Sequence, residues 1–421
     1  MRNIFIYLFF LFLPVTALSQ WQTLSSGTSA NLRSIYFVNS STGFAAGAVG
    51  TLIKTTNSGT GWAPLNSGLT SDINSVYFYN STTGLACGNS GNIIISTNAG
   101  SSWNPVASGV TDNLYAISFF NNSNGVCSGS SGTLLYTTNG GLNWVVAVNG
   151  FLSSYYAIHM SSAANAVAGG VNTIFQSLIA RSTDGGANWN YSSFYLNSNE
   201  GNIRGICFID PSIGFAVSNV WNGQGAISST SNGGINWTTQ LFTHALNSIY
   251  FHGSSTGYAV GSNGYILKTT DAGTSWVTQI SGVASVLRSV AFTDSLLGFA
   301  AGDGGVIIKT TNGGITSLTP VNNQVPGDYQ LSQNYPNPFN PSTKIRFQIP
   351  LLRGVSEGRG VLSSLIIYDA LGREIKTLAD QQLNPGTYEV NWDASNYPSG
   401  VYIYKFTSGD FTDSKKMILL K

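Results

Sequence analysis

Glu200, Asp72 and Asp112, together with Arg33, Arg204 and Arg288, are the residues of this chain whose types could act on a substrate. Glycoside hydrolysis needs two carboxylates facing each other across the scissile bond, and these three acids are the candidates. The arginines have a second use that requires no reaction. With Tyr115, Tyr156 and Trp221 they would make a surface for a peptide, a glycan or a loop of a partner protein. Other chemistries lack their residues: His159, His244 and His252 have no metal-ligand spacing, no Gly-x-Ser-x-Gly elbow occurs, and no cysteine has a histidine in its sequence context. The expectation is a binding surface with Glu200 at its edge, no catalytic residue, and no metal, nucleotide or redox cofactor.

A repeat positions these residues. A Ser/Thr-x-Asn/Asp-x-Gly-x-x-Trp box recurs as Thr55-Asn57-Gly59-Trp62, Ser96-Asn98-Gly100-Trp103, Thr137-Asn139-Gly141-Trp144, Ser182-Asp184-Gly186-Trp189, Thr230-Asn232-Gly234-Trp237, Thr269-Asp271-Gly273-Trp276 and Thr310-Asn312-Gly314, with Ser317 in place of the last tryptophan. A period near 40 residues signals a propeller, a solenoid or an array. Trp21 stands 41 residues before Trp62 and supplies the missing tryptophan. The spacing therefore predicts an all-β, seven-bladed β-propeller of four-stranded blades, its last blade completed by the N-terminal strand. The box residues Asn57, Asn98, Asn139, Asp184, Asn232, Asp271 and Asn312 are expected to be structural: Asn or Asp caps a tight turn, Gly takes positive φ, and Trp packs beneath.

Within each repeat, a segment such as Leu32 to Phe37 reads as the innermost strand, because its third position is small in every copy: Ser34, Ser75, Ala116, Ala157, Gly205, Ser248 and Ser289. Its second position reads Arg33, Asn74, Tyr115, Tyr156, Arg204, Asn247 and Arg288, a ring of polar and aromatic side chains expected around the channel mouth. The connections carrying Asp72, Asp112 and Glu200 lie on that face, opposite the boxes. So do longer loops in repeats four and five, which bring Phe175 and Trp221 with Asn222 and Gln224. Long loops on a rigid scaffold are where function is usually placed.

The boxes are those called Asp-boxes or BNR repeats, and the whole template resembles the photosystem II assembly/stability-factor type of propeller over residues 21 to about 317. The resemblance implies the fold; Asp-boxes also occur in sialidases and xyloglucan-cleaving glycosidases, which keeps a secreted glycosidase as the alternative. A sialidase-like site would require several arginines with a Tyr/Glu pair.

Residues 1–19 read as a signal peptide: a charged start, an apolar run from Ile4 to Val15 too short to span a bilayer, and small Ala17 and Ser19 before the cut. The mature chain is expected to keep no integral membrane segment and to be a monomer. Net charge is +1 and only 8% of residues are charged, so no basic field exists for nucleic acid. Cys87, Cys127 and Cys207 are odd in number and read as small buried residues; a Cys87–Cys127 bridge is disfavoured, because their repeat offsets differ by one and place them on opposite strand faces.

Composition shifts after Ser317. Residues 344–421 hold ten of the eighteen Lys and Arg, residues 20–318 are assigned to the propeller, 319–330 to a linker, and 331–421 to a small Ig-like β-sandwich. The last segment carries Tyr335-Pro336-Asn337-Pro338-Phe339 and Pro398-Ser399-Gly400-Val401-Tyr402 and resembles the type A C-terminal sorting domain of the type IX secretion system. Only the long Leu351 to Ser364 segment departs from it. That resemblance implies export through the periplasm, the secretion machinery as a partner, and a final place on the outer-membrane surface or in the medium.

Overall fold

The computed structural model describes residues 21–148, 152–193, 201–220, 222–314, 318–322, 325–351, 361–383, 385–395 and 397–421. The expected signal peptide, Glu200, Trp221 and Ser317 lie outside them. The chain divides into two compact units, Gln20–Gly314 and Ile315–Lys421.

Among the described residues, the first unit holds seven four-stranded antiparallel sheets. In the first, Leu32–Phe37, Gly43–Gly47, Leu52–Thr55 and Ala63–Pro64 follow one another from the inside outwards. Innermost strands of successive sheets pack side by side, and Leu287–Phe292 packs on Leu32–Phe37, which closes a ring. The last sheet takes its outer strand from the N-terminus: Gln22, Thr23 and Leu24 pair with Lys309, Ile308 and Ile307. Second strands such as Gly43–Gly47 are buried at every position, since neighbouring sheets cover both faces and polar/apolar alternation disappears.

Each box holds its own turn. The Thr55 hydroxyl donates to Asn57 Oδ1 (2.9 Å) and accepts the Gly59 amide (3.0 Å), while Asn57 Oδ1 accepts the Gly61 amide (2.9 Å). The hydroxyl-to-Asx bond and the bond from the Gly amide recur in all seven copies. Glycine is required for two reasons. Gly100 has a φ of 77°, and a Cβ there would lie 2.4 Å from the Phe44 ring of the preceding sheet. The box tryptophan meets the aromatic of its inner strand edge to face, as in Phe37–Trp62, Phe78–Trp103, Phe119–Trp144, Phe208–Trp237 and Phe251–Trp276. Trp21 fills that place in the last sheet, 5.8 Å from Phe292 at 89°, fully buried, with its indole N–H on Gln279.

A cross-link invisible in the repeat template ties neighbouring sheets. Lys54 Nζ donates to the Ala99 carbonyl (2.7 Å), Arg181 Nε to Gly233 (2.7 Å), Lys268 Nζ to Gly313 (2.8 Å), and Lys309 Nζ to Ser58 (2.8 Å). A third-strand cation thus caps the box turn of the next sheet, and the Lys309 bond bridges the ring closure.

Cys87 and Cys127 are buried free cysteines, as expected, yet they share one apolar cluster. Both are fully buried there with Leu85, Ile93, Leu114 and Leu135, where the Cys127 thiol donates to the Ser128 carbonyl (4.0 Å) and burial, with Cys87 adding to it, raises its pKa. The offset of one does send the two side chains to opposite faces of their own sheets. Stacked sheets, however, present opposite faces to each other, so that offset is what places both cysteines in the layer between them.

The second unit is a sandwich of two four-stranded sheets. One orders Leu318–Asn322, Gly386–Asp393, Ser342–Ile349 and Gln330–Leu331; the other orders Glu374–Leu383, Val361–Asp369, Gly400–Ser408 and Phe411–Leu419. Residues 319–322, expected in a linker, instead belong to an edge strand in which Pro320 pairs with Tyr388, a place that tolerates proline. Of the long segment, 361–364 extend a strand, and 352–360 lie outside the described residues. The motifs of this unit serve its packing: Asn337 Oδ1 accepts the Ile418 amide (2.9 Å), Phe339 is buried against Trp392, and Tyr402 Oη donates to the Pro398 carbonyl (2.7 Å).

Candidate ligand-binding site

All seven innermost strands are irregular at one position. Pairing with the second strand slips between Leu32 and Ser34, Ile73 and Ser75, Leu114 and Ala116, Tyr155 and Ala157, Ile203 and Gly205, Leu246 and Ser248, and Leu287 and Ser289. The skipped residues are Arg33, Asn74, Tyr115, Tyr156, Arg204, Asn247 and Arg288. A bulged residue leaves the ladder and its side chain is re-aimed. Here all seven line one cavity of about 320 Å³ on the ring axis. The small third-position residues allow the strands to approach and also bond across them: Ser34 Oγ accepts the Val76 amide and Ser289 Oγ the Ile35 amide, each at 3.1 Å.

The three arginines are not equivalent. Arg33 donates to Asp72 (2.5 Å) and Asn74 (3.1 Å), and Arg288 grips Asp303 through Nε (2.5 Å) and Nη2 (2.9 Å). Arg204 has no carboxylate partner among the described residues. Its guanidinium lies 4.2 Å from the centre of the Tyr156 ring, which in turn packs tilted at 38° against Tyr115, 4.9 Å away. Burial lowers the Arg204 pKa, with Tyr156 and Tyr115 opposing and Arg288 adding to the shift; the group remains a cation at any physiological pH. Asn74 and Asn247 use their amides to hold the Leu114 and Leu287 carbonyls of the next strands.

No carboxylate is among the described residues lining the cavity. Asp72 is occupied by Arg33 and by the Val49 amide, and Asp112 accepts the Thr133 hydroxyl at 2.9 Å in another connection. Phe175 is half exposed in the long loop of the fourth sheet, and Asn222 bonds Gln224 in that of the fifth. Two members of the site escaped the sequence. Asn219, on the second strand of the fifth sheet, lines the cavity and bonds Asn247 (3.3 Å). Asp303 is legible in hindsight as the acid in a turn where other copies read Ala48, Asn89, Ser130 and Ser262.

With this geometry established, comparison with known proteins is informative. Residues 13–111 and 96–245 match the family model described as photosynthesis system II assembly factor YCF48. The chain belongs to the YCF48 family. Residues 333–420 match the secretion system C-terminal sorting domain, which marks the chain for export to the cell surface or beyond. The solved structure of YCF48 bound to D1 peptide is similar with a TM-score of 0.57 at 21% identity, covering 70% of this chain and 97% of that one. YCF48 from Cyanidioschyzon merolae gives 0.56 at 18%, covering 69% and 98%. PorZ, a surface component of the type IX secretion system of Porphyromonas gingivalis, gives 0.51 at 12%, covering 95% of this chain and 59% of its own. These likenesses show the propeller fold. No curated protein matches. Among the described residues, no helix is long and apolar enough to cross a membrane.

Proposed function

We propose that this YCF48-family propeller is a non-catalytic binding module, exported by its sorting domain and displayed on or released from the cell surface as a monomer. Its ligand is a peptide or peptide loop that seats a carboxylate in the bulge-lined ring. The observation that carries this is Arg204: a cation without an acidic partner among the described residues, placed over the Tyr156 ring, in a cavity whose described lining has no carboxylate. A guanidinium so fixed loses little freedom on binding a carboxylate and offers it two parallel donors. The solved D1-peptide complex of a YCF48 supports a peptide rather than a glycan as the occupant.

Glycosidase chemistry finds less support, because Asp72 and Asp112 are held in other contacts and away from the cavity. Trp221 and Glu200 keep their proposed place at the rim as a hypothesis. The test is a display of random peptides against the mature chain and its Arg204→Ala variant. Peptides that bind only the wild type, and lose binding when their carboxylates are amidated, support the site; peptides indifferent to both changes refute it.

A further inference from the structure

We propose that Cys87 and Cys127 are a modification site, an inter-sheet disulfide that forms during export and staples the second and third sheets together. Both side chains are fully buried, as free thiols, in one apolar cluster between those sheets, where Cys87 lies on Gly84–Gly88 and Cys127 on Gly125–Gly129. Each belongs to the second strand of its sheet, so the link would join equivalent strands 40 residues apart. The third cysteine provides an internal contrast. Cys207 belongs to a different cluster, with Phe215, Ile249 and Phe251, and has no thiol beside it.

Compartment and burial together decide when the bond forms. The sorting-domain match sends the chain out of the reducing cytoplasm, so an oxidant is at hand in the form of a protein or small-molecule disulfide. Exchange runs in two steps: one cysteine thiolate attacks the donor disulfide and expels a thiolate, then the second thiolate attacks the mixed disulfide and expels the other. Two electrons and two protons leave the cysteine pair and appear as two donor thiols. In the closed ring both sulfurs are fully buried, and burial raises the Cys127 pKa, which suppresses the attacking thiolate. Oxidation must therefore precede closure of the second sheet on the third. Once formed, the disulfide would be shielded from reductants by the same packing.

The experiment uses the mature full chain, unfolded and reduced, then refolded with a glutathione redox couple. In parallel, already folded reduced protein receives the same couple. Both samples are denatured without reductant, alkylated and digested. Refolded protein should yield a linked peptide joining Cys87 to Cys127, two hydrogens lighter than its reduced halves, with Cys207 alkylated or carrying glutathione. The folded sample should remain a trithiol over the same period. In a Cys87→Ser variant, Cys127 should carry glutathione or alkyl label like Cys207. Full alkylation of all three cysteines in refolded wild type, or linkage of Cys207 as often as of the pair, would overturn the proposal.

Discussion

The two ends of the propeller use similar polar residues to opposite effect. At the box end, every copy directs its hydroxyl, amide or carboxylate at its own turn, and the third-strand cations Lys54, Arg181, Lys268 and Lys309 bond the turn next door. At the channel mouth, the bulged residues differ from copy to copy, and the Arg204 guanidinium lies over the Tyr156 ring. Repetition therefore marks the contacts that build the ring, and variation at a fixed backbone position marks the surface proposed for a ligand. The same contrast separates the arginines themselves: Arg33 and Arg288 pair with Asp72 and Asp303, whereas Arg204 has no carboxylate partner among the described residues.

This contrast can be broken most forcefully at the ring closure. Trp21→Ala removes a fully buried indole from its edge-to-face contacts with Phe292 and Tyr258 and should cost about 3–5 kcal/mol in chemical denaturation. Thr269→Val is milder: it leaves the Gly273 amide without its acceptor and should cost about 1–2 kcal/mol while leaving peptide binding unchanged. Should Thr269→Val abolish binding in protein that remains folded, the division between the two ends fails.

A smaller effect concerns acid. His159, part-buried and stacked on Phe208, has its pKa pushed by desolvation from 6.5 down to about 4. The unfolded chain takes up that proton first, so this contribution is complete above pH 6.5 and is lost as pH falls from there towards 4. His159→Phe should flatten the stability profile across that window; an unchanged slope would assign it to other groups. The box acid Asp271 acts lower down: hydrogen bonds from Ser275, first its hydroxyl and then its amide, and from Thr269 hold its pKa at about 2, so its contribution persists until strongly acid pH.

Much of this was legible in the sequence, and the reasons are specific. The box turn is local chemistry, so Thr55, Asn57 and Gly59 announce it in their spacing, and Trp21 announces the closure by standing one period ahead. The ring residues were legible because the small third position locates the inner strand. The bulges were not, since they arise from strands converging on an axis rather than from any residue type. Nor were the partners of Arg33 and Arg288 equally visible: Asp72 lies in the expected connection, but Asp303 belongs to a turn of its own sheet. Cys87 and Cys127 were legible as buried residues, but not their shared cluster, because strand-face parity speaks of one sheet and the cluster lies between two. Pro320 and its neighbours looked like linker because an edge strand carries little sequence signature.

The most direct measurement is binding of a selected carboxylate-bearing peptide to the mature chain, compared across Arg204→Ala and the box variant Asn57→Ala. Loss of a charge-assisted contact should weaken binding roughly 10-fold or more in Arg204→Ala with no change in unfolding midpoint, while Asn57→Ala lowers stability and binds normally. Equal binding by wild type and Arg204→Ala, or loss confined to Asn57→Ala, would contradict the assignment of the channel mouth as the ligand surface.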